Sequence, residues 1–175
     1  MASSRLKTSL GSLGLDSVLI AASGTVGSVW EWAEIADVGK YGAAVAKSVS
    51  AEPWAGRPPP RMAPLTTGML NGIGIQNPGV SEWSRSMQPR IQKLKVPVWG
   101  SAVGRTPEEF GLVARQLESV GVQAVEVNLS CPNLDDGEMF SFSTGASHDV
   151  LEAVRGATVG PIGAKLSPNT PDVVS

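Results

Sequence analysis

The sequence predicts an α/β fold built on a parallel sheet, and three observations carry that prediction. Short segments rich in Val, Ile and Ala alternate along the chain with helical patterns, the arrangement that βα units produce. The segments are apolar throughout rather than apolar on one face, as strands covered on both sides are. Polar residues gather at the C-terminal ends of these segments, the edge where parallel α/β folds place their active sites.

Residues 1–11 carry Arg5 and Lys7 but run into Gly, Ser and Asp16 rather than a continuous apolar stretch, so no secretory signal is expected. The first strand is predicted over residues 17–22 and the second over 43–49, with a helix over 28–37 between them. A long insert, residues 52–79, follows the second strand. It holds Arg57-Pro58-Pro59-Pro60-Arg61 and several glycines, too polar and proline-rich for a core helix, and is expected to project as an excursion. A helix over 80–94 is strained by Pro89, which is expected to split it. The third strand is predicted over 96–103.

The clearest helix spans 107–120, with Phe110, Val113, Ala114 and Leu117 on one stripe. Its ends are explicit. Thr106 can cap the Glu109 amide while Glu109 reaches back to Thr106, Pro107 sits where no donor is lost, and Gly121 can take the left-handed stop. The fourth strand is predicted over 124–129, a helix over 148–157 behind a Ser147 cap, and the fifth strand over 161–166. Residues 169–175 read as the cap and first turn of a further helix, so the chain is expected to stop inside a βα unit. With no repeat and no shift in composition, one domain is expected over 1–175.

Composition narrows the function classes. Of 175 residues, 42% are hydrophobic and 17% charged, and 14 basic residues nearly balance 16 acidic ones without a run of one sign. That excludes the basic face of a nucleic-acid binder, and no apolar stretch approaches the roughly 20 residues that span a bilayer. A lone Cys131 forbids an intrachain disulfide and fits a reducing cytoplasm. One Cys and one His supply no CxxC or HExxH pattern, so no metal site is expected.

Candidate chemistry sits at the strand ends. Lys47 and Lys165 lie in apolar strands, where an ammonium needs an anion, a carbonyl-rich ligand or a carboxylate unless it snorkels to solvent. Asn128-Leu129-Ser130-Cys131-Pro132-Asn133 places two carboxamides and a thiol in one turn, suited to a planar ligand edged with NH and carbonyl groups. A lone cysteine is more often an inert core residue than a catalyst, but at a strand end before proline its thiol is available as base or nucleophile. Residues 68–79 either let a ligand approach the backbone closely or simply make turns in a surface loop. Gly72-Ile73-Gly74 follows no strand and lacks a third glycine at the dinucleotide-binding spacing, which excludes a Rossmann fingerprint.

Four of these stretches, in order and spacing, resemble class 1 dihydroorotate dehydrogenases. They are Lys47-Ser48-Val49, the segment from Glu52-Pro53 to Arg61, residues 68–79, and Asn128 to Asn133. The triple proline followed by Gly68-Met69-Leu70-Asn71 and Gln76-Asn77-Pro78-Gly79 is most similar to the class 1B branch. The resemblance covers the chain from about Asp16 onward. It implies a (β/α)8 TIM barrel, of which the chain carries about the first five βα units, with FMN at the C-terminal face. Ser23, Lys47, Ser48, Asn128 and Lys165 would contact FMN, and Lys47, Asn71, Gly72, Ile73, Gly74, Ile75, Asn128 and Asn133 would line a site for dihydroorotate.

By the same resemblance, Cys131 would remove the C5 proton while hydride leaves C6 for the flavin. An ordinary thiol titrates near about 8.5, so a rate rising toward alkaline pH is expected. The implied setting is pyrimidine (UMP) biosynthesis in the cytoplasm, in an oligomer. The class 1B branch implies a partner subunit that carries FAD and an iron–sulfur cluster and passes electrons to NAD, while the sequence itself leaves the final acceptor open between NAD and fumarate. One departure is Ser101, where the class 1B pattern has an asparagine touching flavin; the shorter side chain is expected to leave that contact to water. A chain of this length is expected to hold no FMN and to be inactive alone. Two other readings stand beside this one. The pyrimidine-reducing domain of dihydropyrimidine dehydrogenase has a similar Asn-Ser-Cys-Pro loop, although the proline-rich excursion argues against it, and a truncated remnant would not act at all.

Overall fold

In the computed structural model, which describes residues 6–131 and 139–169, the predicted strands appear in order but each is trimmed. The first element is a hairpin that the sequence reading missed. β1 (Thr8–Leu10) pairs antiparallel with β2 (Leu13–Leu15), and Gly11 at φ 56° begins the two-residue turn between them. The first parallel strand, β3, is only Ile20–Ala21, followed by α1 (Trp30–Ala33), β4 (Ala43–Val45), and an antiparallel hairpin of β5 (Met62–Leu65) and β6 (Gly68–Asn71). Next come α2 (Val80–Met87), β7 (Val98–Ala102), α3 (Pro107–Val120), β8 (Ala124–Asn128), α4 (Thr144–Ala157) and β9 (Ile162–Lys165).

The sheet settles which parallel architecture this is. Its strands lie in the order β3-β4-β7-β8-β9, all parallel and in chain order, with no reversal of the kind that defines a doubly wound sheet. It is also strongly curled. Lys165 at the end of β9 donates to the hydroxyl of Ser23, just past β3, at 2.7 Å. These residues belong to opposite edges, and four strand spacings of a flat sheet would separate those edges by about 19 Å. Sequential order and curl together make this an incomplete (β/α)8 barrel.

The helices cover the convex face. Phe110, Val113, Ala114 and Leu117 of α3 are all fully buried against β7 and β8, as the stripe predicted. Gly111 permits the close approach of α4, since a Cβ there would sit 3.1 Å from the Ala153 carbonyl oxygen. The α3 ends largely match expectation: Thr106 Oγ1 accepts from the Glu109 amide at 3.3 Å, and Gly121 is left-handed at φ 94°. Glu109, however, accepts from Arg105 N at 2.7 Å, one residue before the expected partner.

Three helix boundaries are corrected. The helix expected over 28–37 shrinks to four residues, because Val29 has φ 73° and Ile35, 77% exposed, offers no apolar face to bury. The helix over 80–94 stops at Met87, and after the Pro89 break only a 3-10 turn at Ile91–Lys93 remains. The helix over 148–157 starts four residues earlier at Thr144, capped by Ser143 Oγ accepting from Ala146 N at 3.2 Å. Ser147 instead donates to the Phe140 carbonyl at 2.8 Å. Gly145 masked that extra turn in the sequence.

The excursion is tied at its base. Asn77 Oδ1 accepts from the amides of Ser50 and Gly79 at 3.1 and 2.9 Å, and Trp54 and Asn77 exchange backbone hydrogen bonds. Beyond that base the β5–β6 hairpin projects, with Met62, Leu65, Met69 and Leu70 all exposed. Among the described residues, no helix is long and apolar enough to cross a membrane.

Candidate active site

The concave face of the sheet is polar at its C-terminal end, and strand register explains which side chains meet there. Ser101 on β7 is paired with Glu126 on β8, and Asn128 with Lys165 on β9. Side chains two apart on a strand share a face, so Ser101, Glu126, Asn128 and Lys165 all point inward. Val125 and Val127 alternate with them and are buried.

The second strand contributes two adjacent residues to the same place. Val45 pairs with Trp99 but Val49 bridges to Ala102, so four steps along one strand match three along the other. The hydrogen bonds agree: Ala46 N donates to the Trp99 carbonyl, yet it is Val49 N, not Ser48 N, that reaches the Ser101 carbonyl. This is a β-bulge, and it overrides the alternation that would send Lys47 and Ser48 to opposite faces. Ser48 is buried within the polar cluster. Lys47 is half-buried, and burial holds its ammonium below the ordinary lysine value, partly offset by nearby Cys131 and reinforced by Lys165.

The inward side chains form one continuous chain of hydrogen bonds. Asn128 Nδ2 donates to Ser48 Oγ at 3.1 Å, Ser48 and Ser101 hydroxyls are 2.9 Å apart, and Ser101 Oγ donates to Glu126 Oε1 at 2.9 Å. Lys165 Nζ donates to the same carboxylate oxygen at 3.1 Å and to Ser23 at 2.7 Å. Ser130 Oγ donates to Asn128 Oδ1 at 3.2 Å and fixes the amide from the loop side. Each hydroxyl has one proton, and a carboxylate only accepts, so the Ser48–Ser101 contact must run from Ser48 to Ser101. Every proton from Asn128 onward therefore points toward Glu126.

Cys131 lies three residues past the end of β8, half-buried and packed against the apolar core. The structure thus brings Ser23, Ser48, Asn128 and Lys165 into one chain, with Lys47 and Cys131 in electrostatic reach of each other beside it. Asn71 lies exposed at the end of the projecting hairpin, Gly72, Ile73 and Gly74 are half-buried, and Ile75 is buried in the core at φ 49°. No hydrogen bond among the described residues joins these five to the chain. Asn133 lies outside the described residues.

Sequence reasoning missed Glu126, which answers the demand of Lys165 for an anion. The signal was present, because Glu126 and Asn128 alternate in a segment otherwise read as uniformly apolar. Ser101, the departure from the class 1B pattern, is fully buried and hydrogen-bonded to both Ser48 and Glu126.

The donor set fits a flavin in its chemistry: hydroxyls, a carboxamide and two half-buried ammonium groups converge at the mouth of a curled parallel sheet. Comparison with known proteins points the same way. The family model described as Dihydroorotate dehydrogenase matches residues 5–175. The dihydroorotate dehydrogenase B (NAD(+)) catalytic subunit of Desulforudis audaxviator is 40% identical over 173 residues, covering 97% of this chain and 56% of that protein. The equivalently named subunit of Alkaliphilus metalliredigens is 36% identical over 170 residues, covering 97% of this chain and 56% of its own length. That of a Geobacter species is 40% identical over 158 residues, covering 89% and 52% respectively. The chain spans about half the length of the curated relatives it matches.

Proposed function

The chain belongs to the dihydroorotate dehydrogenase family, whose members are flavin-dependent, and from that premise we propose that it forms the FMN-facing half of a class 1B catalytic subunit. The reaction is oxidation of dihydroorotate to orotate in de novo pyrimidine (UMP) biosynthesis. The observation that carries this reading is the hydrogen-bonded chain from Asn128 to Lys165 at the strand ends, with Lys47 and Cys131 beside it.

In this reading Ser23, Lys47, Ser48, Asn128 and Lys165 hold the cofactor. Bound FMN supplies the acceptor for the hydride that leaves C6 of the substrate. The Lys165 ammonium provides a fixed positive charge for the negative charge that builds on the flavin ring. Lys47, Asn71, Gly72, Ile73, Gly74, Ile75, Asn128 and Asn133 line the pyrimidine. Asn128 and Asn133 can each donate and accept, matching the alternating NH and carbonyl edge of the ring. The thiolate of Cys131 takes the C5 proton, so the C5–C6 double bond forms as both hydrogens depart and no free carbanion accumulates.

The names of the relatives mark them as catalytic subunits of an NAD(+)-linked enzyme. In the proposed reading this chain works beside an electron-transfer subunit with FAD and an iron–sulfur cluster, in an oligomeric cytoplasmic enzyme. The present chain is expected to elute from gel filtration without FMN, because neither the outer edge of β3 nor that of β9 has a strand partner among the described residues. The deciding experiment uses the protein at the length of its relatives and follows flavin bleaching by dihydroorotate and by dihydrouracil. Bleaching by dihydroorotate alone, falling at least about a hundredfold in Cys131→Ala, is the expected result. Preference for dihydrouracil would move the protein to the dihydropyrimidine dehydrogenase class, and wild-type rates in Cys131→Ala would remove the base assignment.

A further inference from the structure

We propose that Glu126 is the positioning residue for Lys165, and that the pair sets the electrostatic field on a flavin bound at the strand ends. The inference rests on the flavin reading above and deepens it. A lysine at a strand end has long, soft torsions and no intrinsic reason to hold one direction. Here its ammonium is fixed between two partners from different strands, Glu126 Oε1 at 3.1 Å and Ser23 Oγ at 2.7 Å. The carboxylate is itself fixed, since Ser101 donates to the same oxygen at 2.9 Å.

Register makes this arrangement specific. Glu126 pairs across to Ser101 on one side and Gly163 on the other, while Lys165 stands two residues past Gly163 on the same face. Gly163 adds no side chain there, so the diagonal from Glu126 to Lys165 stays open. Glu126 also determines the sense of every hydroxyl proton behind it. As an acceptor only, it draws the Ser101 proton, which leaves Ser101 to accept from Ser48 and Ser48 to accept from Asn128. One carboxylate thus aims the ammonium and orders the polar chain.

The consequence is a moderated cation. Paired with Glu126, Lys165 presents less than a full positive charge to a ligand, and the pair is only partly exposed, so solvent screens it incompletely. Replacing Glu126 by Gln keeps an oxygen for Ser101 and Lys165 but deletes the charge. The ammonium is then unopposed, which favours the reduced, more negative flavin. Asp keeps the charge but withdraws it by one methylene from both partners.

The test measures the midpoint potential and FMN dissociation constant of the relative-length flavoprotein and its Glu126→Gln and Glu126→Asp variants. Glu126→Gln should raise the preference for reduced over oxidised FMN about tenfold, a shift of roughly +30 mV for a two-electron couple. Glu126→Asp should fall between wild type and Glu126→Gln in potential. A residue that only supports the fold would lower thermal stability, more so in Asp than in Gln, without this ordered shift. If either variant holds FMN at the wild-type potential, Glu126 does not set the field and the proposal falls. If the wild-type protein binds no FMN, the flavin reading itself fails first, a result distinguishable because it needs no variant.

Discussion

The two faces of the parallel sheet obey different rules. On the convex face, α3 buries Phe110, Val113, Ala114 and Leu117 completely, so removing volume from any of them leaves a void. On the concave face the sheet carries Ser48, Ser101, Glu126, Asn128 and Lys165, joined by directional bonds. The first face supplies stability from apolar area. The second spends little apolar area and is organised by who donates to whom.

The sharpest test of that division is Leu117→Ala. Its side chain is fully buried, so urea denaturation should show a loss of about 3 kcal/mol. On the other face, Ser101→Ala removes one hydroxyl from a network that can still satisfy Glu126 through Lys165, and should cost about 1 kcal/mol. A loss as large as that of Leu117→Ala would mean that the polar face, too, holds the fold together.

The smallest effect should have the opposite sign. Burial depresses the Lys47 ammonium below its ordinary value of 10.5. Between that depressed value and 10.5, the unfolded chain binds more protons than the folded one, so stability rises with pH there. Below that window the full cost of burying the cation is present. Lys47→Met should therefore be slightly more stable than wild type at neutral pH, with the advantage shrinking as the solution is made alkaline. A variant that is less stable at pH 7 would show that Lys47 is held by an interaction stronger than its burial.

The convex face was the more legible in the sequence, and the reason is physical. The α3 stripe follows one local period, its caps are read from adjacent residues, and its stop is a single glycine at φ 94°. The concave face depends on which strand lies beside which. Lys165 advertised its need for a partner, but the choice of Glu126 follows from register between β8 and β9, and the contact with Ser23 from curl. The N-terminal hairpin was missed for another reason, since Gly11-Ser12 is a recognisable two-residue turn flanked by segments too short to attract notice. Family resemblance reached several of the concave residues that periodicity could not, and it still passed over Glu126.

The bulge in the second strand has a consequence for how such a chain can fail. Two neighbouring residues serve one side of the sheet only because the strand carries one peptide unit more than its neighbour between Val45 and Val49. Loss of a single residue between those anchors would leave composition, hydropathy and every helix intact, and would restore an ordinary alternation. Lys47 and Ser48 could then no longer both face the mouth of the barrel. A descendant could in this way retain nearly every letter of the motif and lose the site by a change of parity, a lesion that counting matched residues would not detect.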